Sequence, residues 1–275
     1  MSKRLKIFAP LWGSNEFAPE VFIQRALDGG FDGVEISLPD DEKQSQHWLD
    51  LLKQANLPWI GQQWQTVFAK NFAEHKALLQ ATLEQVCAAK PIKVNSHTGK
   101  DFYSMAQNLE LIDLAETIAT RHGVSLVHEI HRSRFTAHPL LLRPYLEQRP
   151  GLRLNADLSH WCCVCESLLE DQEEMLEQVF PFVSHIHARV GYQQGPQVND
   201  FRAPEHEQAL QRHLSWWRRI LELQIQAGAD LLTITPEFGP APYTQSLPYT
   251  QAVVQDPWQL NLAMLTLLRQ YFAEI

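Results

Sequence analysis

The stretch Ser184-His185-Ile186-His187-Ala188-Arg189-Val190 alternates ionisable and apolar side chains. Residues two apart on a strand share a face, so His185, His187 and Arg189 line one side and Ile186, Ala188 and Val190 the other. The same parity recurs along the chain. Glu35 and Ser37 oppose Val34 and Ile36, and Asn95 shares a face with His97. Val127, Glu129 and His131 share another, leaving His128 unexplained on the opposite side. Arg153, Asn155 and Asp157 oppose Leu152, Leu154 and Ala156, while Thr233, Thr235 and Glu237 oppose Leu232 and Ile234. Glu35, His97, Glu129, Asp157, His187 and Glu237 thus stand near the C-terminal ends of candidate strands, on the polar faces. A single buried carboxylate can be a structural hydrogen-bond acceptor. Several converging ones repel, and burying them bare is costly. A bound cation removes that cost. Three carboxylates with one imidazole form an oxygen-rich set suited to Mn²⁺, Mg²⁺ or Co²⁺, with Zn²⁺ also compatible. Two readings stand on these residues alone: a metal centre, or a polar barrel lining without metal.

Something must bring these side chains together. Strand-like runs are expected at Leu5–Ala9, Gly33–Ser37, Trp59–Gln63, Lys93–His97, Ser125–Ile130, Leu152–Asp157, Val183–Ala188 and Leu231–Glu237. Amphipathic helical runs lie between them at Glu20–Asp28, Glu42–Ala55, Phe72–Ala89, Met105–His122, Pro139–Glu147, Glu170–Val179 and Glu205–Ala227. Gly29-Gly30 and Gly123 are helix stop signals. Asp256-Pro257 starts a closing helix with an N-cap and a proline at the first helical position. Strict β-then-α alternation predicts a parallel sheet. Eight repeats predict an α/β chain folded as a single (β/α)8 TIM barrel over residues 1–275. The first strand leads into APLWGSNEF, which lacks the G-x-G-x-x-G of a nucleotide-binding fold. Active sites of such barrels sit at the C-terminal ends of the strands.

Composition agrees with one enzyme-sized domain. The chain has 275 residues, is 45% hydrophobic and carries a formal net charge of -9. That balance argues against nucleic acid as the main partner. The segment MSKRLKIFAPLWGS lacks the features of a signal peptide, and no apolar run approaches the ~20 residues of a membrane span. A cytoplasmic enzyme or binding protein is the expectation, with no membrane partner. Cys162, Cys163 and Cys165 crowd together with only Cys87 elsewhere, and read as free thiols rather than half a metal site.

At GFDGVEI, VHEIH, DLSHW, HIHARVG and TPEFGP the sequence resembles the xylose-isomerase-like TIM barrels, over nearly its whole length. That superfamily includes sugar isomerases, the D-tagatose 3-epimerase group, inosose dehydratase and the endonuclease IV group. The resemblance implies that Glu129, Asp157, His187 and Glu237 hold a divalent metal ion. It implies that His160, three residues after Asp157, touches substrate oxygens. It also implies proton transfer next to the carbonyl of a small sugar-like substrate. Glu129 and Glu237, on strands five and eight, are the candidate acid and base. Arg189 departs from the epimerases, whose arginine lies further along; parity aims it into the mouth, toward a substrate oxygen. His185, one layer lower, is expected to hydrogen-bond within the barrel.

Other residues have two readings each. His97 contacts substrate or a second metal ion, or is a satisfied barrel histidine. Glu35 orients substrate or pairs inside the barrel. Trp12, Trp64 and Trp161 stack on a sugar face or simply pack. The segment Gly191–Gln208 is expected to be a lid beside the FGPAPYTQSLPYTQ loop, with Arg202 meeting an anionic group, or to be an oligomer contact. LSWWRRI, on the long seventh helix, is expected to be a sticky surface that pairs with another chain.

Three further function classes compete. A lyase of the inosose dehydratase kind would use a similar metal set. An endonuclease IV-like nuclease would use His97 and His160. However, QQW stands where that group has a histidine, and Asp200-Phe201-Arg202 replaces an Asp and His two apart. A non-catalytic binder on the same barrel is the third, since a fold does not dictate function.

Overall fold

The alternating apolar runs become strands that close on themselves. The computed structural model describes residues 4–275. The strands are β1 (Leu5–Pro10), β2 (Gly33–Ile36), β3 (Trp59–Gln63), β4 (Lys93–Ser96), β5 (Leu126–Glu129), β6 (Leu154–Ala156), β7 (Val183–Ala188) and β8 (Leu232–Pro236). They pair in parallel in chain order, and β8 returns to β1, giving a closed eight-stranded barrel. Outward residues such as Val34, Val94, Leu126, Leu154, Ile186 and Ile234 are buried under the helical ring. Burial of this apolar face is the main force fixing the register.

The helices are α1 (Pro19–Gly29), α2 (Glu42–Gln54), α3 (Phe72–Ala88), α4 (Met105–His122), α5 (Pro139–Gln148), α6 (Ser159–Cys165), α7 (Glu173–Val179), α8 (Glu207–Gln226) and α9 (Pro257–Tyr271). Local chemistry sets their ends. α1 and α4 stop at Gly30 and Gly123, both left-handed, with φ of 82° and 63°. Ser104 and Gln107 form a capping box at the start of α4, and the Asp256 side chain accepts from Trp258 N–H at the start of α9. Among the described residues, no helix is long and apolar enough to cross a membrane.

Four expectations change. β6 is shorter than expected, and its pairing with β7 shifts register between Leu154 and Asn155. Ser159–Cys165 is a helix, too short to show a periodicity; the cysteines are its second half, and all four thiols are free. His128 is no misfit: Thr98 Oγ1 lies 2.7 Å from its Nδ1 and Glu116 Oε1 lies 3.2 Å from its Nε2. The tryptophans of LSWWRRI form no sticky surface. Trp216 and Trp217 are buried, packed against His213 at ring distances of 4.9 and 5.7 Å.

Candidate active site

Polar side chains from six strands, β2 and β4 to β8, converge at the C-terminal end of the barrel. His187, on the inward face of β7, uses both edges of its ring. Its Nε2 lies 2.9 Å from Glu35 Oε1 on β2, and its Nδ1 lies 2.9 Å from Glu237 Oε2 just past β8. The Glu35 contact is a well-formed hydrogen bond, whereas Nδ1 has no hydrogen-bond partner of acceptable geometry. Glu35 therefore fixes the proton on Nε2 and leaves the Nδ1 lone pair facing the carboxylates, the arrangement a metal-binding imidazole needs.

Ligand atoms of Glu129, Asp157, His187 and Glu237 all lie within 4.8 Å of one another, and all four residues are buried. The electrostatics fit a cation. Burial alone would push the His187 imidazole down, but Glu237, Glu35 and Glu129 raise it well above its ordinary value, so Nδ1 attracts a proton or a metal ion. Burial pushes Asp157 up; Arg189 opposes this, Glu237 and Glu129 add to it, and the carboxyl reaches about 7. Glu129 is held well below the usual carboxylate range despite burial, chiefly by His97 and His187. Asn95 Nδ2 donates to Glu129 Oε2 over 2.5 Å, and His97 Nε2 lies 3.0 Å from the same oxygen. The orphaned Nδ1 and the three-carboxylate, one-imidazole set fit a divalent metal ion.

Arg189 is not at the rim. It is buried, ion-paired with Asp157, 3.6 Å from Glu237 Oε2, and 2.9 Å from His160 Nε2. Tyr243 and Trp12 cover its guanidinium at 4.7 and 5.4 Å. A divalent ion and this guanidinium together would offset the three carboxylates. His160 is buried 3.5 Å from Asp157 Oδ2 and packs against His131, with ring centroids 3.8 Å apart and the planes tilted by 45°. His185 binds Thr233 Oγ1 (2.8 Å) and Glu35 Oε2 (3.1 Å), one layer away from the four-residue group.

A cavity of about 1080 Å³ opens over this centre. Trp12, Trp64, His97, Glu129, Arg189 and Glu237 line it, together with Gln62, His131 and Tyr243. Glu35 is not among the lining residues. It is fully enclosed by His185, His187 and Thr235, whose hydroxyl donates to it over 2.5 Å. Its carboxyl stays well below the usual range because the two histidines overcome the effect of burial. Trp161 is also outside the cavity, buried with its Nε1 donating to Thr136 O. Arg202 is half exposed and forked onto Asp200, away from the lining. Its loop packs down onto the segment after β8: Gln197 bonds Gly239 and Thr244, and Val198 and Phe201 are buried. Asn95, Gln62 and Tyr243 complete the site. Parity points to Asn95 and Gln62 at strand ends, but nothing in the loop around Tyr243 marks it.

No family model matches the chain, and no curated protein matches it. Solved structures do. A xylose isomerase-like TIM barrel protein from Mycobacterium smegmatis, in complex with magnesium, has a TM-score of 0.61 at 13% identity, over 97% of each chain. A probable 3-DHS dehydratase involved in petrobactin synthesis from Bacillus anthracis has 0.61 at 14%, over 95% of this chain and 98% of its own. A 3-keto-D-glucoside 4-epimerase from E. coli has 0.58 at 16%, over 97% and 99%. At these identities the likeness shows the fold alone: this chain shares its closed (β/α)8 barrel with those proteins.

Proposed function

We propose that this chain is a divalent-metal-dependent isomerase or epimerase. It would act next to a carbonyl of a sugar or a related polyol or keto compound. The convergence of Glu129, Asp157, His187 and Glu237, with the bare Nδ1 of His187 aimed into the group, carries this reading. A bound divalent ion would supply Lewis-acid stabilisation of the negative charge that develops on the substrate oxygens.

The chain's own groups do the rest. Glu129 and Glu237 both line the cavity, one beyond β5 and one beyond β8. One carboxylate takes the carbon-bound proton and the other delivers a proton to the opposite face or the neighbouring carbon. Asn95 and His97 hold Glu129 through Oε2, and Gln62 Nε2 holds Glu237 Oε1 at 3.3 Å, so each reacting carboxylate is oriented. Arg189 is paired with Asp157 and lies 3.6 Å from Glu237 Oε2, so it orients both carboxylates. Trp12 and Tyr243 cover the guanidinium that holds them.

Exchange of solvent deuterium into a panel of ketoses, with metal content measured on the same protein, tests the reading. Exchange is expected with about one divalent ion per chain. Glu237→Gln is expected to cut it about 100-fold or more while leaving the circular dichroism spectrum unchanged. Protein with no affinity for Mn²⁺, Co²⁺, Mg²⁺ or Zn²⁺ would sink the reading. Loss of water from the substrate in place of exchange would move it to a lyase.

A further inference from the structure

We propose that the half of the cavity built by the β1–β3 loops is a subsite for a second ring, and that the substrate is an uncharged, glycoside-like molecule. The proposal rests on the reading of the Glu129–Glu237 end as the reacting centre.

The cavity wall divides by strand. The ends of β4, β5, β7 and β8 supply His97, Glu129, His131, Arg189 and Glu237. The segments after β1, β2 and β3 supply Trp12, Phe17, Trp64 and Phe68, with Asp40 and Gln65 among them. The whole volume, about 1080 Å³, is at the upper end of pockets that hold drug-sized ligands, so one ring at the reacting centre leaves the aromatic half unfilled. Trp64 and Phe68 form an edge-to-face pair at 5.4 Å, yet are 37% and 66% exposed. Packing does not account for aromatic side chains left this open over a cavity. Aromatic faces beside carboxylate and amide edges match a pyranose, whose C–H face is apolar and whose hydroxyls point sideways.

Charge excludes a phosphate in this half. Among the described residues, Arg189 is the only lysine or arginine in the lining, and Asp157 and Glu237 already hold it. His47 is bound to Glu20 at 2.6 Å, while Asp40 and Glu74 add negative charge. The nearby N-termini of α2 and α3 are closed by Asp41 and Asn71, which accept from the N–H groups of Gln44 and Glu74.

Calorimetric titration with glucose, glucose 6-phosphate, cellobiose and phenyl β-D-glucoside tests this on EDTA-treated and Mn²⁺-loaded protein. The two-ring probes are expected to bind about tenfold tighter than glucose, and glucose 6-phosphate no tighter than glucose. The Trp64→Ala/Phe68→Ala protein, altered only at exposed positions, is expected to lose that preference and keep its melting temperature. Tightest binding of the phosphate overturns the proposal. So does the absence of a two-ring preference, or a preference that survives in the double variant. A two-ring preference without deuterium exchange on any substrate would sustain the subsite and defeat the isomerase reading; exchange on single rings without the preference would do the reverse.

Discussion

Glu35 shows how a single buried side chain can act on a centre it does not enter. It holds His187 and His185 at once and lies outside the cavity lining. With two acceptor oxygens it sets the tautomer of both rings. A glutamine there has one acceptor, so one ring would face an NH₂ group and reorient. Glu35→Gln is expected to weaken Mn²⁺ binding about 10- to 100-fold by calorimetry, with the glucoside contacts of the aromatic half unchanged. Metal affinity equal to that of the parent protein would refute the role. The sequence marks Glu35 by parity alone, and parity cannot tell a side chain that faces a ligand from one that faces another side chain. The same limit applies to Arg189, which alternation aims at the mouth; the attraction of Asp157 and Glu237 instead draws it into the wall. His187 and His185 differ by one layer, and only the closed barrel's register separates them.

At the scale of elements, hydrophobic alternation and glycine stops were enough to locate every strand and the long helices. They failed at Ser159–Cys165, where a helix of two turns follows a three-residue strand. Two other helices carry a pH dependence that no pattern announces. His75 on α3 accepts from Gly99 N–H over 3.1 Å, and His213 on α8 accepts from Gly191 N–H over 3.3 Å. Burial pushes both imidazoles down to about 4, with Lys100 adding to the effect at His75. Their pKa is thus below the unfolded value of 6.5. Between the two values the unfolded chain binds more protons, so acid favours unfolding. Their contribution is complete above pH 6.5 and is lost as pH falls toward 4. Urea midpoints are expected to stay level from pH 7.5 to 6.5 and to fall from pH 6.5 to 5 by an amount equivalent to at most about 1.4 kcal/mol per pH unit for each histidine. His213→Gln is expected to halve that slope, leaving the share of His75; an unchanged slope would refute the assignment.

For the molecule as a whole, the barrel concentrates three carboxylates at one end, and under the proposed reading a bound cation would offset them. An ion that binds only the folded chain stabilises it by mass action, about 2.7 kcal/mol at a concentration 100 times its dissociation constant. Thermal melts with and without Mn²⁺ are expected to separate by several degrees, and Asp157→Asn is expected to abolish the difference. Equal melting temperatures at saturating metal would count against the centre. The division of the cavity wall has a consequence for how this barrel can change. Under the proposed reading, proton transfer belongs to Glu129 and Glu237 beyond β5 and β8, and recognition of a second ring to the loops after β1, β2 and β3. Exchanging the latter loops would then retarget the protein to a new molecule without touching an atom that moves a proton, which would make this scaffold modular along its own sequence, with its first third open to grafting.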